Sequence, residues 1–203
     1  MDRFLMTHSL LSSWQYALRE NPYEDATSEI DPMADFMHTL RRERTETTEA
    51  QQRGIDFENL VTDICYGRGD RSNKWWDAAS HIADIVRGGQ FQYRAKKQIE
   101  VAGKSVVLYG RLDVLKAGTI YDIKYAGKYD RGKFVDSTQH PAYLLLVPEA
   151  TKFEYLVSDG TNNWTETYRR DETPGILPTI ERFYAWLEAT GLWAEYVAHW
   201  TAL

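Results

Sequence analysis

Cysteine is nearly absent from this 203-residue chain, where Cys65 stands alone. A single thiol excludes an intramolecular disulfide framework and any cysteine-rich zinc or iron–sulfur centre, and it suits a reducing cytoplasm. Long apolar runs are missing as well. No stretch approaches the roughly 20 apolar residues of a membrane span, and the opening MDRFLMTHSLLSSW has no apolar run followed by a small-residue cleavage site. No membrane contact and a cytoplasmic address are therefore expected. The five histidines, at 8, 38, 81, 140 and 199, show no paired metal-ligand spacing. Positive charge is in deficit: 24 Lys/Arg against 30 Asp/Glu leave a net −6, which argues against a general nucleic-acid coat.

What is present is ordinary for a globular protein, with 43% hydrophobic and 27% charged residues, and the length suffices for one sizeable core. The charge is unevenly placed. From Arg87 to Lys133 eleven Lys/Arg face four Asp/Glu, a local +7, so the remainder carries −13. Such a basic stretch attracts phosphates if its side chains share a cleft, and means nothing if they scatter over solvated strands. Of the aromatic residues, Trp75 and Trp76 read as helix-packing residues rather than as a stacking platform.

Periodicity divides the chain. Residues 8–20 read as an amphipathic helix, 21–34 as loop and 33–50 as a polar helix weakened by Thr45, Thr47 and Thr48. Apolar positions 57, 60, 61 and 64 predict a buried helix over 52–66 with Cys65 on its inner face, and another helix covers 73–87. The period then changes to that of strands, at 91–101, 104–115, 119–126, 152–158 and 163–170. A short helix lies between the last two strands and the others, at 137–147, with Ser137 or Thr138 as cap and Pro141 tolerated in its first turn. After Pro178 the pattern is helical to near the end. This order predicts an α/β fold, a mixed central β-sheet flanked by helices.

The chemistry concentrates in one hairpin. If Ala117-Gly118 is a two-residue turn, Lys116 opposes Thr119, and stepping back sets Asp113 opposite Asp122 and Arg111 opposite Lys124. A four-residue turn keeps that register, whereas a three-residue turn breaks it. Alternation then places Asp113, Asp122 and Lys124 on one face. Like charges opposite one another are unfavourable in a sheet, and a hard divalent cation such as Mg²⁺ or Mn²⁺ would relieve them through carboxylate oxygens. Lys124 would orient or deprotonate a water, or stabilise charge on phosphoryl oxygens. Asp122-Ile123-Lys124 is the chain's only acid-x-Lys triplet, and composition alone predicts about one. By itself the triplet reads as well as a surface salt bridge.

Four elements in one order resemble the PD-(D/E)XK nuclease superfamily, in its RecB-like and lambda-exonuclease-like branch. They are Gly54-Ile55-Asp56-Phe57-Glu58, Gly110-Arg111-Leu112-Asp113, Asp122-Ile123-Lys124 and Gln139-His140-Pro141-Ala142-Tyr143. Together they span residues 54–143. The N-terminal HSLLSSWQYAL is weakly similar to the family's opening helix, and the last 60 residues match no motif. Pro141 departs from the family's pattern.

The resemblance implies a restriction-endonuclease-like core in a single nuclease-like domain over 1–203, with an N-terminal helical segment over about 1–90 and the catalytic core over about 54–170. It implies Mg²⁺ or Mn²⁺, and no iron–sulfur cluster, held by Glu58, Asp113, Asp122 and the Ile123 carbonyl, with Lys124 completing the catalytic set. Gln139 and Tyr143 would brace the site. Arg111, Lys128 and Arg131 would meet the substrate, the latter two in a stretch where cations interleave with Tyr125, Tyr129 and Phe134 as in single-strand binders. The implied activity is a deoxyribonuclease, an exonuclease of recombination or repair in a phage or mobile-element setting, acting on DNA strand ends. A homo-oligomer or a recombination partner protein would accompany it. The alternative is a catalytically inactive module of the same fold that binds DNA or protein.

Overall fold

The computed structural model describes residues 3–19 and 31–202. Strand β1 (Arg3–Thr7) runs directly into helix α1 (His8–Ala17), because Thr7 closes the strand and its hydroxyl caps the helix by accepting from Leu10 N–H. The loop expected at 21–34 falls mostly outside the described residues. Helix α2 (Pro32–Leu40) opens on an Asp31 cap and ends where Arg42 takes a left-handed φ of 55°. The polar helix expected over 33–50 is therefore two helices with an irregular link. The break has a local cause: Thr48 and Gln51 form a reciprocal capping box that starts α3 (Glu49–Cys65) afresh. Helix α4 (Trp76–Val86) follows.

Strands β2 (Gln90–Val101), β3 (Lys104–Lys116) and β4 (Thr119–Tyr125) form two consecutive hairpins. Both turn on an Ala-Gly pair with both residues at positive φ, Ala102-Gly103 and Ala117-Gly118, the two-residue geometry that matches strand twist. Helix α5 (Gln139–Leu146), strands β5 (Lys152–Ser158) and β6 (Asn163–Arg169), helices α6 (Leu177–Ala189) and α7 (Trp193–Trp200), and the two-residue β7 (Thr201–Ala202) complete the chain. Pro141 sits at the third helical position of α5, where its missing N–H removes no helical bond. Ser137 accepts from Gln139 N–H at 3.2 Å, while Thr138 donates to the His8 carbonyl instead.

The seven strands among the described residues form one mixed sheet in the order β6-β5-β4-β3-β1-β7, with β2 on the free side of β3. The β1 pairing with β3 is parallel, as is that of β4 with β5. The fold is thus a mixed α/β architecture with a helix-flanked sheet. One apolar cluster, with α1, α2, α5, α6 and α7, covers one face, and a second, with α3 and α4, covers the other. Fully buried rings such as Phe36, Phe57, Phe153 and Phe183 anchor them, each worth about 1.5–3 kcal/mol of transfer energy. The C-terminal helices close the first cluster, and Tyr196 Oη donates to the Leu5 carbonyl of β1 at 2.8 Å. Among the described residues no helix is long and apolar enough to cross a membrane.

β3 is the pivot of this arrangement. β2 pairs with it from Val101–Lys104 to Gln90–Leu115 and fills one edge. On the other edge β1 covers Ser105–Tyr109 and β4 covers Val114–Lys116. β1 and β4 run in opposite senses there, so their carboxyl ends face each other across a gap at 110–113.

Candidate functional site

That gap is where the predicted residues meet. The register of the β3–β4 hairpin is the expected one at Lys116–Thr119, Leu115–Ile120 and Val114–Tyr121, but the ladder stops there, one pair short of the two acids. The strands splay, and Asp113 Oδ2 accepts the Ile123 N–H at 2.9 Å in place of a β3 carbonyl. The expected pairing of Arg111 with Lys124 is not made: Arg111 pairs with Arg94 of β2, because the edge it would offer β4 lies inside the gap.

Asp122 is 2% exposed. Its Oδ1 accepts from Gln139 Nε2 at 2.5 Å, and its Oδ2 lies 2.7 Å from Lys124 Nζ. The Lys124 ammonium is the one close partner of Oδ2, which is otherwise buried. Tyr143, one turn after Gln139 on α5, donates to the Arg111 carbonyl at 3.0 Å. Its ring lies over Gly110, where a Cβ would meet Tyr143 Cε1 at 2.5 Å; the glycine of the G-x-x-D element makes room for the tyrosine of the Q-x-x-x-Y element. Glu58 comes from α3, which packs on the opposite face of the sheet, and lines the same cavity of about 330 Å³ only because the gap opens through it. Gln92 Nε2 donates to Glu58 Oε1 at 2.5 Å.

The electrostatics follow from crowding. Burial, then the charges of Asp122 and Glu58, push the Asp113 carboxyl well above its usual range. Burial and Asp122 push Glu58 upward in the same way. Burial works against the Lys124 ammonium, but Asp122 and Asp113 outweigh it and raise the group. Two residues that no sequence pattern singles out also belong here. His8, the first residue of α1 just after β1, lines the cavity and is held neutral by burial and by Lys124, its pKa lowered to about 3. Gln92 is the other.

As they lie, the described residues include no group of three or more His, Cys, Asp and Glu able to hold a metal ion. Glu58 is engaged by Gln92, Asp113 by Ile123, and Asp122 by Gln139 and Lys124. In kind, however, the donors suit a hard cation: they are carboxylate oxygens, and one of them, Asp122 Oδ2, is buried with only the Lys124 ammonium beside it.

The basic stretch does not form one patch. Lys97 and Lys116 are spent on the Leu145 and Ile85 carbonyls, and Lys104 on Glu188. Lys128, Arg131 and Lys133 are exposed on the loop after β4, and Lys128 faces Asp130 at 3.5 Å. The interleaved rings turn inward: Phe134 stacks on Tyr155 with centroids 4.2 Å apart, Tyr129 packs against Trp164, and Tyr125 lies against Trp75. Trp75 and Trp76 pack on the second cluster, as expected, whereas Cys65 is half-buried rather than buried. A larger cleft of about 470 Å³, with Arg19 and Arg182, lies on the other side of the α5 amino end and contains none of the site acids.

No family model matches the chain, and no curated protein does. Solved structures do match. One is the crystal structure of SSO0001, 14% identical, with a TM-score of 0.54 over 93% of this chain and 76% of that one. At that identity the likeness concerns the fold alone.

Proposed function

We propose that the chain is a Mg²⁺- or Mn²⁺-dependent deoxyribonuclease on a restriction-endonuclease-like core, an exonuclease hydrolysing phosphodiester bonds at DNA strand ends in recombination or repair. The observation that carries this reading is the meeting of Asp113, Asp122 and Lys124 with Glu58, Gln139 and Tyr143 around one cavity at the fork in the sheet. Four separated sequence motifs have no reason to share a cavity if each is ordinary surface or core. The carboxylates of Glu58, Asp113 and Asp122, with the Ile123 carbonyl, would hold the ion. When bound, the ion supplies positive charge to a phosphoryl oxygen and acidifies a water.

The chain's own groups do the rest. Gln139 fixes the rotamer of Asp122, and Tyr143 keeps Arg111 and the strand edge in place. Lys124, kept charged by the acids around it, donates to phosphoryl oxygens as negative charge develops there. Arg111 is exposed at the mouth, with Lys128 and Arg131 on the adjoining loop, where they meet the DNA backbone without reading sequence.

Digestion of plasmid and oligonucleotide DNA with Mg²⁺, with and without chelator, tests the reading beside Asp122→Ala and Lys124→Ala. Loss of cleavage on the order of 10²-fold or more in both variants is expected. Variants that cut as fast as wild type would show the chemistry to lie elsewhere. A wild type that binds DNA without cutting would favour the binding-module alternative.

A further inference from the structure

Among the described residues, four other than glycine have positive φ: Arg42, Gln92, Ala102 and Ala117. Arg42 ends a helix, and the two alanines occupy the hairpin turns, where that conformation is required. Gln92, with φ of 53°, lies inside strand β2, where no turn asks for it. A side chain held in this region within a regular element is strained, and such strain gathers at functional sites.

The consequence for the sheet is specific. In the β2–β3 ladder Gln92 stands opposite Asp113, and that pair is missing while the register on both sides is unchanged. On a regular strand, residues two apart share a face. Here Tyr93 and its partner Leu112 pack on the first cluster, but Phe91 and its partner Val114 pack on the second. The two-stranded ribbon changes face at Gln92–Asp113. At that point the Gln92 carboxamide donates to Glu58, the one site acid carried by the helix on the far face.

We propose that Gln92 is a positioning residue, whose kink and carboxamide hold Glu58 facing Asp113 and Asp122 so that acids from opposite faces of the sheet serve one ion. This rests on the nuclease reading above. Without the carboxamide, Glu58 is a long side chain free to turn into solvent. Outer partners that orient metal ligands typically carry 10–100-fold of the affinity.

The test uses the full chain and three measurements: Mn²⁺ binding by calorimetry without DNA, the melting temperature, and steady-state cleavage. Gln92→Gly accepts the kink without strain and removes the carboxamide. It is expected to weaken Mn²⁺ binding by roughly 10–100-fold and to lower kcat with KM for DNA little changed. It should melt no lower than wild type, because glycine occupies this conformation freely. Gln92→Asn, which tolerates the left-handed conformation and keeps a shorter carboxamide, should fall between the two. A merely structural role would move the melting temperature and leave Mn²⁺ affinity alone. Wild type and Gln92→Gly binding Mn²⁺ equally overturns this inference alone. A wild type that neither binds Mn²⁺ nor cleaves DNA overturns the nuclease reading together with it.

Discussion

Glu166 on β6 is 9% exposed and accepts four hydrogen bonds. Its Oε2 takes Tyr129 Oη at 2.5 Å and Gly132 N–H at 3.2 Å, and its Oε1 takes Phe134 N–H at 3.3 Å and the Tyr168 hydroxyl. Three of these donors belong to the loop carrying Lys128, Arg131 and Lys133, so one carboxylate fastens that loop to the sheet. Glu166→Gln keeps the shape, but a carboxamide offers one accepting oxygen and one donating NH₂. Whichever way it is turned, two donors lose their acceptor and face another donor. Hydrogen bonds to a charged group contribute about 1.5–3 kcal/mol each, which bounds the loss at roughly 3–6 kcal/mol. The tyrosine hydroxyls can rotate away and the backbone N–H groups cannot, so the lower end, about 3 kcal/mol, is expected. For a chain of this size that is roughly 6–12 °C in melting temperature, read by circular dichroism at neutral pH, with faster tryptic cleavage in the loop. The pH dependence has a definite sign. Burial pushes Glu166 up, but its hydrogen bonds win and hold it below its unperturbed 4.5. The stabilisation is therefore complete above about 4.5 and disappears as pH falls through the lower folded value, so the two proteins should converge in acid. Equal melting at neutral pH, or a gap that persists unchanged into strong acid, would refute the assignment.

The acid crowding makes a prediction of opposite sign. Asp113 is raised in the folded state, so its contribution is favourable in acid and is lost as pH rises through the raised value. Asp113→Asn should melt above wild type near neutrality, with the gap closing in acid and narrowing when Mn²⁺ is added; thermal melts across roughly pH 4 to 8 check this. Gly110→Ala places a Cβ 2.5 Å from Tyr143 Cε1 and 2.8 Å from Leu146 Cδ1. It should cost about 1–3 kcal/mol in denaturant unfolding and, by displacing α5, also impair cleavage. Tyr143→Phe loses no packing but leaves the Arg111 carbonyl without its donor, so about 1–3 kcal/mol is expected; unchanged stability would contradict that role.

Much of the fold was legible because its signals are local. The β5 boundaries coincide with the expected 152–158, and the Ala117-Gly118 turn fixed the hairpin register. What escaped depends on contacts between distant segments. β1 has only five residues, with Phe4 and Met6 turned inward, and the N-terminal segment expected to be helical therefore opens with a strand. The gap at 110–113 exists because β1 and β4, more than a hundred residues apart in sequence, stop short on one edge of β3. No pattern in either strand announces that, nor does any local signal mark Gln92 as left-handed or bring His8 to the cavity. The break in the helix over 33–50 was readable in Thr48-Glu49-Ala50-Gln51, a capping-box sequence. The alternation of cations and rings after β4 suggested a binding surface, but here the rings pack inward on the sheet, as Phe134 and Tyr129 do.

At the fork, structural and chemical duties fall on the same atoms, which determines how variants there must be read. Splaying β4 from β3 leaves backbone groups without ladder partners, and buried groups of that kind are costly. Asp113 satisfies one, the Ile123 N–H, and Tyr143 satisfies another, the Arg111 carbonyl. Asp113→Ala would remove an acid and also leave an amide unpaired, so its inactivity would say nothing about chemistry. Asp113→Asn keeps an accepting oxygen at that amide while it removes the charge and turns the other oxygen into a donating NH₂. Lys124 satisfies no backbone group, but it is the charge partner of the buried Asp122 at 2.7 Å, so Lys124→Ala also has to be shown to fold before its inactivity speaks to chemistry. If Asp113→Asn and Lys124→Ala both remain folded and both fail to cleave DNA, the fork is required for catalysis in its charges and not merely in its shape.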